Sequence, residues 1–187
     1  MLRLALTLSL TSVLLASCTF ELKDTADLHR RAGAGDVEAQ WMLGWKYHHG
    51  EDVTIDAKQA ANWYRKAALQ GHAKAQWQFG FMLDNGTGVT KNKEEAVSWW
   101  LRAAEQGHVI AQNKLGLRYL KGEGGLERDH VAAYAWYSVA ANEQELSALA
   151  NLMNAQERAE GQELSRKLHE QIEANAEQLE AQTKGDL

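Results

Sequence analysis

Apolar and small residues recur along this chain with two nested periods. Within short windows the spacing is helical: Ala60, Trp63, Tyr64, Ala67 and Ala68 stand at i, i+3, i+4, i+7 and i+8 and form one apolar stripe. Across the chain the spacing is 36 residues, as between Gly35, Gly71 and Gly107; Ala39, Ala75 and Ala111; Gln40, Gln76 and Gln112; and Gly44, Gly80 and Gly116. Leu43, Phe79 and Leu115 keep one apolar position, and Tyr47, Leu83 and Tyr119 another. The stripe returns as Ala96, Trp99, Trp100, Ala103 and Ala104. It returns again, one residue late, as Ala133, Trp136, Tyr137, Ala140 and Ala141. The extra residue falls in Gly122-Glu123-Gly124-Gly125. A fixed period of this size marks stacked repeats, each one supersecondary unit.

Each unit therefore predicts a helix A (about 37–49, 73–84 and 109–120), a glycine-containing loop and a helix B (about 56–70, 92–106 and 129–141). A glycine inside a helix costs up to about 1 kcal/mol. Its return at 44, 80 and 116 therefore points to a close helix approach. Gly71 and Gly107 stand where helix B should stop. Residues 21–34 align with a helix B that has lost its tryptophan and would cap the first repeat. Residues 143–153 can form a fourth helix A. Asn154 with Glu157 is a capping pair, opening a long helix to about Glu180. Leu164, Leu168, Ile172, Ala176 and Leu179 make its stripe. Two readings stand: its first half seals the array while the acidic second half is solvated, or the stripe is a dimer or partner seam.

The string AALQGHAKAQWQFGFMLDNGTGVTKNKEEAVSWWLRAAEQGH (residues 67–108) resembles Sel1-like repeats, relatives of tetratricopeptide repeats, and the likeness extends over about residues 26–141. The resemblance implies an all-α, right-handed α-solenoid of antiparallel helix pairs. It also implies that the A helices line a concave binding surface. Met42, Trp45, Lys46, Lys74, Gln78, Phe81, Met82, Lys114, Leu117 and Arg118 would form it. Such a groove is aromatic, Met-rich and basic, and would suit an acidic or C-terminal carboxylate feature on a ligand. Whether neighbouring helices cover Trp45 and Phe81 stays open. Two departures stand out: Asp52 replaces the second loop glycine of repeat one, predicting a differently shaped loop, and Thr54 and Thr90 stand where a loop proline is common.

The N-terminus reads as an address. Met1–Arg3 is a basic start, and Leu4–Leu15 is an apolar run of 12 residues, too short for a spanning helix of about 20 and right for a secretory h-region. Leu15-Ala16-Ser17-Cys18 resembles a bacterial lipoprotein signal, which implies cleavage before Cys18 and its acylation. An ordinary cleaved signal with an incidental Cys18 is the alternative. Thr19 after the cysteine implies the outer membrane, facing the periplasm. The expected organisation is a signal peptide (1–17), a lipid-anchor linker (18–25), a repeat array (26–153, with repeats at about 35–70, 71–106, 107–141 and a partial 142–153), and a C-terminal capping helix and tail (154–187).

Composition then trims the possibilities. Lys and Arg number 20 against 25 Asp and Glu, a net charge of −5, which argues against nucleic acid. A single cysteine excludes an internal disulfide. No GxSxG, SxxK, HExxH or Walker A pattern occurs. His72 and His108 stand at the start of helix A, where repeat one has Asp36, and read as capping positions. His48-His49 with Glu51 and Asp52 is a weak metal or pH-sensitive spot, since adjacent helical residues point about 100° apart. No cofactor or metal is expected. The reading is a non-catalytic scaffold for an envelope protein or peptide, anchored to a membrane by lipid. A cell-wall fragment or small-ligand binder, and then a cell-wall hydrolase, are the alternatives.

Overall fold

The structure is a computed structural model and describes residues 25–185; the expected signal peptide, Cys18 and the linker as far as residue 24 lie outside the described residues. Helix α1 covers residues 25–33. It is followed by α2 (Val37–His49), α3 (Ala57–Leu69), α4 (Ala73–Asn85), α5 (Lys93–Ala104), α6 (Val109–Lys121), α7 (His130–Val139), α8 (Glu143–Ala150) and α9 (Ala155–Gly185). Among the described residues there is no strand, and no helix is long and apolar enough to cross a membrane. The A helices are α2, α4 and α6, and α3, α5 and α7 are their B partners. From α2 to α8 each helix packs on the one that follows it, which makes an all-α solenoid of helix pairs.

Within each pair, the helix A glycine is covered by a helix B ring. A Cβ on Gly44 would lie 2.5 Å from Tyr64 Cδ1, one on Gly80 2.6 Å from Trp100 Nε1, and one on Gly116 2.8 Å from Tyr137 Cδ1. Those are not contacts that any larger residue could make. The close approach leaves Tyr64 and Trp100 with no exposed surface. Ala60, Ala67, Ala96 and Ala103 fill the rest of the stripe and are fully buried too. Trp99 and Trp136 join this core, whereas Trp63 is only half-buried, with Lys66 Nζ 3.9 Å above its ring.

A second recurring device joins one pair to the next. The Gln40, Gln76 and Gln112 carboxamides donate to the Ala32, Ala68 and Ala104 carbonyls (3.1–3.2 Å), and Gln70 and Gln106 donate to the Oε1 atoms of Gln40 and Gln76 (2.8 and 2.7 Å). Buried amides are thereby satisfied in register. The A-helix starts are capped in the same rhythm: Asp36 accepts from Ala39 N, His72 Nδ1 from Ala75 N (3.1 Å) and His108 Nδ1 from Ala111 N (3.3 Å). Each histidine also stacks on a tryptophan of the preceding A helix, His72 on Trp41 and His108 on Trp77, with ring centroids 5.4 and 5.8 Å apart.

The loops between A and B close alike in every repeat, with the Asp56, Asn92 and Asp129 N–H groups donating to the Tyr47, Leu83 and Tyr119 carbonyls. The loop of repeat one is not reshaped by Asp52. Its φ of +58° repeats the left-handed conformation of Gly88 (+71°) and Gly124 (+73°), and its carboxylate is held by Lys46. Gly88 has no such latitude, because a Cβ there would meet the Ala57 carbonyl oxygen at 2.1 Å.

The ends differ from the repeats. Leu28 and Ala32 of α1 bury Ala39 and Leu43, as a first cap should. At the far end Asn154 and Glu157 exchange their backbone and side-chain bonds (3.0 and 2.8 Å), the expected capping box. From there α9 turns back along the array. Gly161 sits under Tyr134, Ser165 Oγ donates to Ser138 Oγ (2.8 Å), and Leu168 joins the main core. Asn175 Nδ2 then donates to the Glu105 carbonyl (2.9 Å). The second half of α9 is thus not simply solvated. It meets the turn after α5 through Asn175 and through Ile172, whose Cγ2 would lie 3.6 Å from a Cβ on Gly107, and faces the turn after α3 across a cleft, while Ala176 of the expected stripe faces out.

Two predictions follow from these contacts. Gly80→Ala forces apart a filled glycine–indole contact and is expected to lower unfolding free energy by about 1–3 kcal/mol, read by urea denaturation; Gly33→Ala, with open space around it, serves as the control. Burial holds the His108 imidazole below its ordinary range, with the nearby Lys74 charge adding to it. The folded state therefore binds fewer protons than the unfolded one. His108's contribution is complete above about pH 6.5 and is lost as pH falls below that value toward the folded pKa. Melting temperature should fall between pH 7 and pH 5.5, and less so in His108→Asn, whose carboxamide caps without titrating.

Candidate interaction surface

Deep burial of the A helices leaves only a narrow strip of each exposed. In α4 it is Lys74, Phe81 and Asn85, with Trp77 and Gln78 half-buried beside them; Ala75, Gln76, Phe79, Gly80, Met82, Leu83 and Asp84 all face inward. The equivalent positions, 36 residues apart, run across the repeats as rows: Met42, Gln78 and Lys114; Trp45, Phe81 and Leu117; Trp41, Trp77 and Asn113. Met42 and Phe81 are 38% and 39% exposed, which answers the question of coverage for Phe81. Trp45, Gln78, Lys114 and Leu117 are half-buried.

The rows are held rigidly from below. Trp45 stacks on His49 (centroids 4.4 Å apart, planes 27° apart), and Trp77 lies 5.6 Å from the buried Trp100, whose Nε1 donates to the Trp77 carbonyl. Lys74 Nζ lies 5.2 Å from the Trp41 centroid. Trp41, Met42, Trp45, Lys46 and Glu51 line a cleft of about 300 Å³. A smaller one of about 210 Å³ lies on the other side of Met42 and Lys46, against Asp27, Leu28 and Arg31 of α1. Aromatic and Met side chains on rigid backbone are what interfaces enrich.

Two expected surface residues are not on the surface. Met82 has no exposed area and belongs to the core. Arg118 is 6% exposed, because Gly116 lets α6 sink against Tyr137 and carries Arg118 inward with it. There Nη2 donates to both oxygens of Asp84 (2.7 and 2.6 Å), and Nη1 pairs with Glu123. Lys114 Nζ stands 3.8 Å from the same Asp84 carboxylate, and burial, followed by the Arg118 charge, pulls its pKa down. Trp100 lies beneath both cations, at 5.1 and 5.5 Å. Lys46 is likewise matched by Asp52 and Glu51. The basic groove expected for a carboxylate ligand is therefore largely neutralised by the protein's own acids. Among the described residues no group of three or more His, Cys, Asp or Glu could hold a metal.

Sequence reasoning overlooked Asp84, which closes the Arg118 network, and the Trp41 and Trp77 stacks. The recurrence of tryptophan at 41 and 77, against histidine at 72 and 108, was the available signal.

A repeated glycine–aromatic helix pair stacked in register defines an α-solenoid repeat protein. The Sel1 repeat profile matches residues 37–72, 73–108 and 109–144, each unit beginning at the first residue of an A helix. These units cover more than half of the sequence, and the chain belongs to the Sel1 repeat family. Among solved structures it is similar to a protective antigen of uropathogenic Escherichia coli strains displaying an SLR fold, at 43% identity over 63% of this chain and 25% of that one, with a TM-score of 0.59. It is also similar to a Sel1 repeat protein from Oxalobacter formigenes, at 36% identity over 69% of this chain and 52% of that one, with a TM-score of 0.61. The chain thus spans a quarter and about half of these relatives' lengths. A comparison with curated proteins finds no significant match. Sel1-repeat proteins generally mediate protein–protein interaction, typically as non-catalytic scaffolds.

Removing Arg118 should expose the energetics of its network. Arg118→Met leaves the buried Asp84 carboxylate with only Lys114 nearby and is expected to cost about 3–5 kcal/mol. Adding Asp84→Leu should recover most of that loss, since an apolar pair of similar volume replaces a buried ion pair with little penalty. Urea denaturation of both variants provides the check.

Proposed function

We propose that this chain is a non-catalytic scaffold that holds a protein or peptide on its A-helix strip. It is lipid-anchored through Cys18 and works on the periplasmic side of a bacterial outer membrane. One observation carries the binding surface: Trp45, Phe81 and Leu117 leave apolar area accessible in register on successive A helices, with Met42 beside them over an apolar cleft on α2. Family membership supports the same reading. The address rests on the leader sequence and the placing of the only cysteine at Cys18. Three acyl chains, at about 0.8 kcal/mol per buried CH₂, would make attachment nearly permanent.

The test is photocrosslinking in cells, with the crosslinking residue replacing Gln78 or Phe81 on the strip, and Ser98 on the outer face of α5 as control. A discrete adduct from the strip positions alone supports the proposal, and mass spectrometry names the partner. Equal adducts from Ser98, or none from the strip, overturn it. The anchor is tested separately: Cys18→Ala should move the protein from the detergent phase to the aqueous phase in Triton X-114 partitioning.

A further inference from the structure

The cleft beneath the second half of α9 is chemically unlike the A-helix strip. It holds about 390 Å³ and is lined by Gln70 and Gly71, Gln76, then Arg102, Glu105 and Gln106, and on the α9 side Asn175, Gln178, Leu179 and Gln182. Six of these residues carry carboxamides, drawn from three separate parts of the chain. A carboxamide offers two N–H donors and two acceptor lone pairs. Several of those are spent holding the fold: Gln70 on Gln40, Gln76 on Ala68, Gln106 on Gln76 and the Arg102 carbonyl, and Asn175 on Glu105. These bonds use N–H groups. The Gln70, Gln106 and Asn175 oxygens remain uncommitted, and among the described residues Gln178 and Gln182 hold no hydrogen bond through their side chains.

The charge of the lining nearly cancels, since Arg102 and Glu105 are its only ionic members. Arg102 is further occupied above the Trp99 ring, at 4.7 Å. An anion or a metal ion would find little here. An apolar ligand would find only Leu179. An extended peptide presents one donor and one acceptor per residue, and its alternate side chains need pockets of their own. The density of groups that both donate and accept fits a ligand with hydroxyls on most of its carbons. We propose that this cleft is a binding site for a neutral saccharide, with Gln178 and Gln182 reading its hydroxyls and Leu179 against a C–H face or an acetamido methyl. This site is separate from the A-helix strip and does not depend on the function proposed for it.

The full chain without its leader, labelled with ¹⁵N, is titrated with neutral oligosaccharides: an N-acetylglucosamine tetramer, cellotetraose and maltotetraose at millimolar concentration. The expected result is a saturable shift of the Gln178, Gln182 and Asn175 side-chain amide signals with at least one sugar. The exposed pair Gln178→Ala and Gln182→Ala, which leaves the buried ladder intact, should weaken that binding about tenfold, the effect of losing two neutral hydrogen bonds. No shift with any of the three sugars overturns the proposal. So does a shift at Trp45 and Phe81 instead, or an affinity that the double variant leaves unchanged.

Discussion

The distance between paired helices in this protein is set where three A-helix residues lack a side chain. Gly44, Gly80 and Gly116 let Tyr64, Trp100 and Tyr137 lie directly on helix backbone. In a solenoid each unit contacts only its neighbours, so the pair interface is the quantity that repeats. Its closeness has a cost: the Tyr64 hydroxyl is buried without a partner, and burial drives its pKa far up. The same closeness decides what the surface can be. An A helix sunk this far hides Met82 and Arg118 and leaves out only the positions of Met42, Phe81 and their neighbours. The exposed strip is what packing leaves over.

Junctions between pairs are held by different means along the array. The first two use the neutral glutamine ladder. The junction between α4 and α6 adds the Asp84–Arg118 bridge, a charged contact between residues 34 apart. At the third junction the ladder fails. The turn after α7 is shorter: Asn142 N bonds to Tyr137 O, the residue after Trp136, where His108 N bonds to Ala103 O, four residues after Trp99. No glutamine stands at that turn, Gln112 Oε1 is left without a partner, and Ala141 takes a φ of +53° that glycine holds in the earlier turns. Asn142 bonds instead to Asn113, and α9 is laid over α7. Because α9 also reaches the turn after α5, it adds contacts beyond nearest neighbours. Such contacts couple repeats that a purely nearest-neighbour array would leave independent of one another.

The periodicity that made the fold legible also marks where legibility stops. Helix pairs, glycine approach, histidine caps and the Asn154 capping box were all visible, because each is a local rule repeated at a fixed spacing. Arg118 was misplaced because its equivalents are Lys46, which is partly exposed, and Met82, which is buried; a helical wheel assigns all three one angle and says nothing of depth. Its partner Asp84 lies in another repeat, beyond any local pattern. The path of α9 was missed for a related reason. The stripe held Ile172, which lies against Gly107, but the hydrogen bond that fixes the crossing is made by Asn175, and an apolar-stripe argument passes over an asparagine.

Neutralisation of the basic residues changes what the strip can recognise. With Lys46, Lys114 and Arg118 already matched, long-range attraction contributes little, and affinity must come from apolar area and shape. Rigid support then matters more than charge, and the stacks of Trp45 on His49 and Trp77 over Trp100 supply it. The proposed anchor adds a geometric limit. Six residues separate Cys18 from the start of α1, seven Cα steps and a reach of at most about 25 Å. The cleft shared by α1 and α2 lies at that end of the array, so a partner seated on Met42 and Trp45 would be held within a short distance of the bilayer. A scaffold built this way selects partners by where they are as much as by what they present.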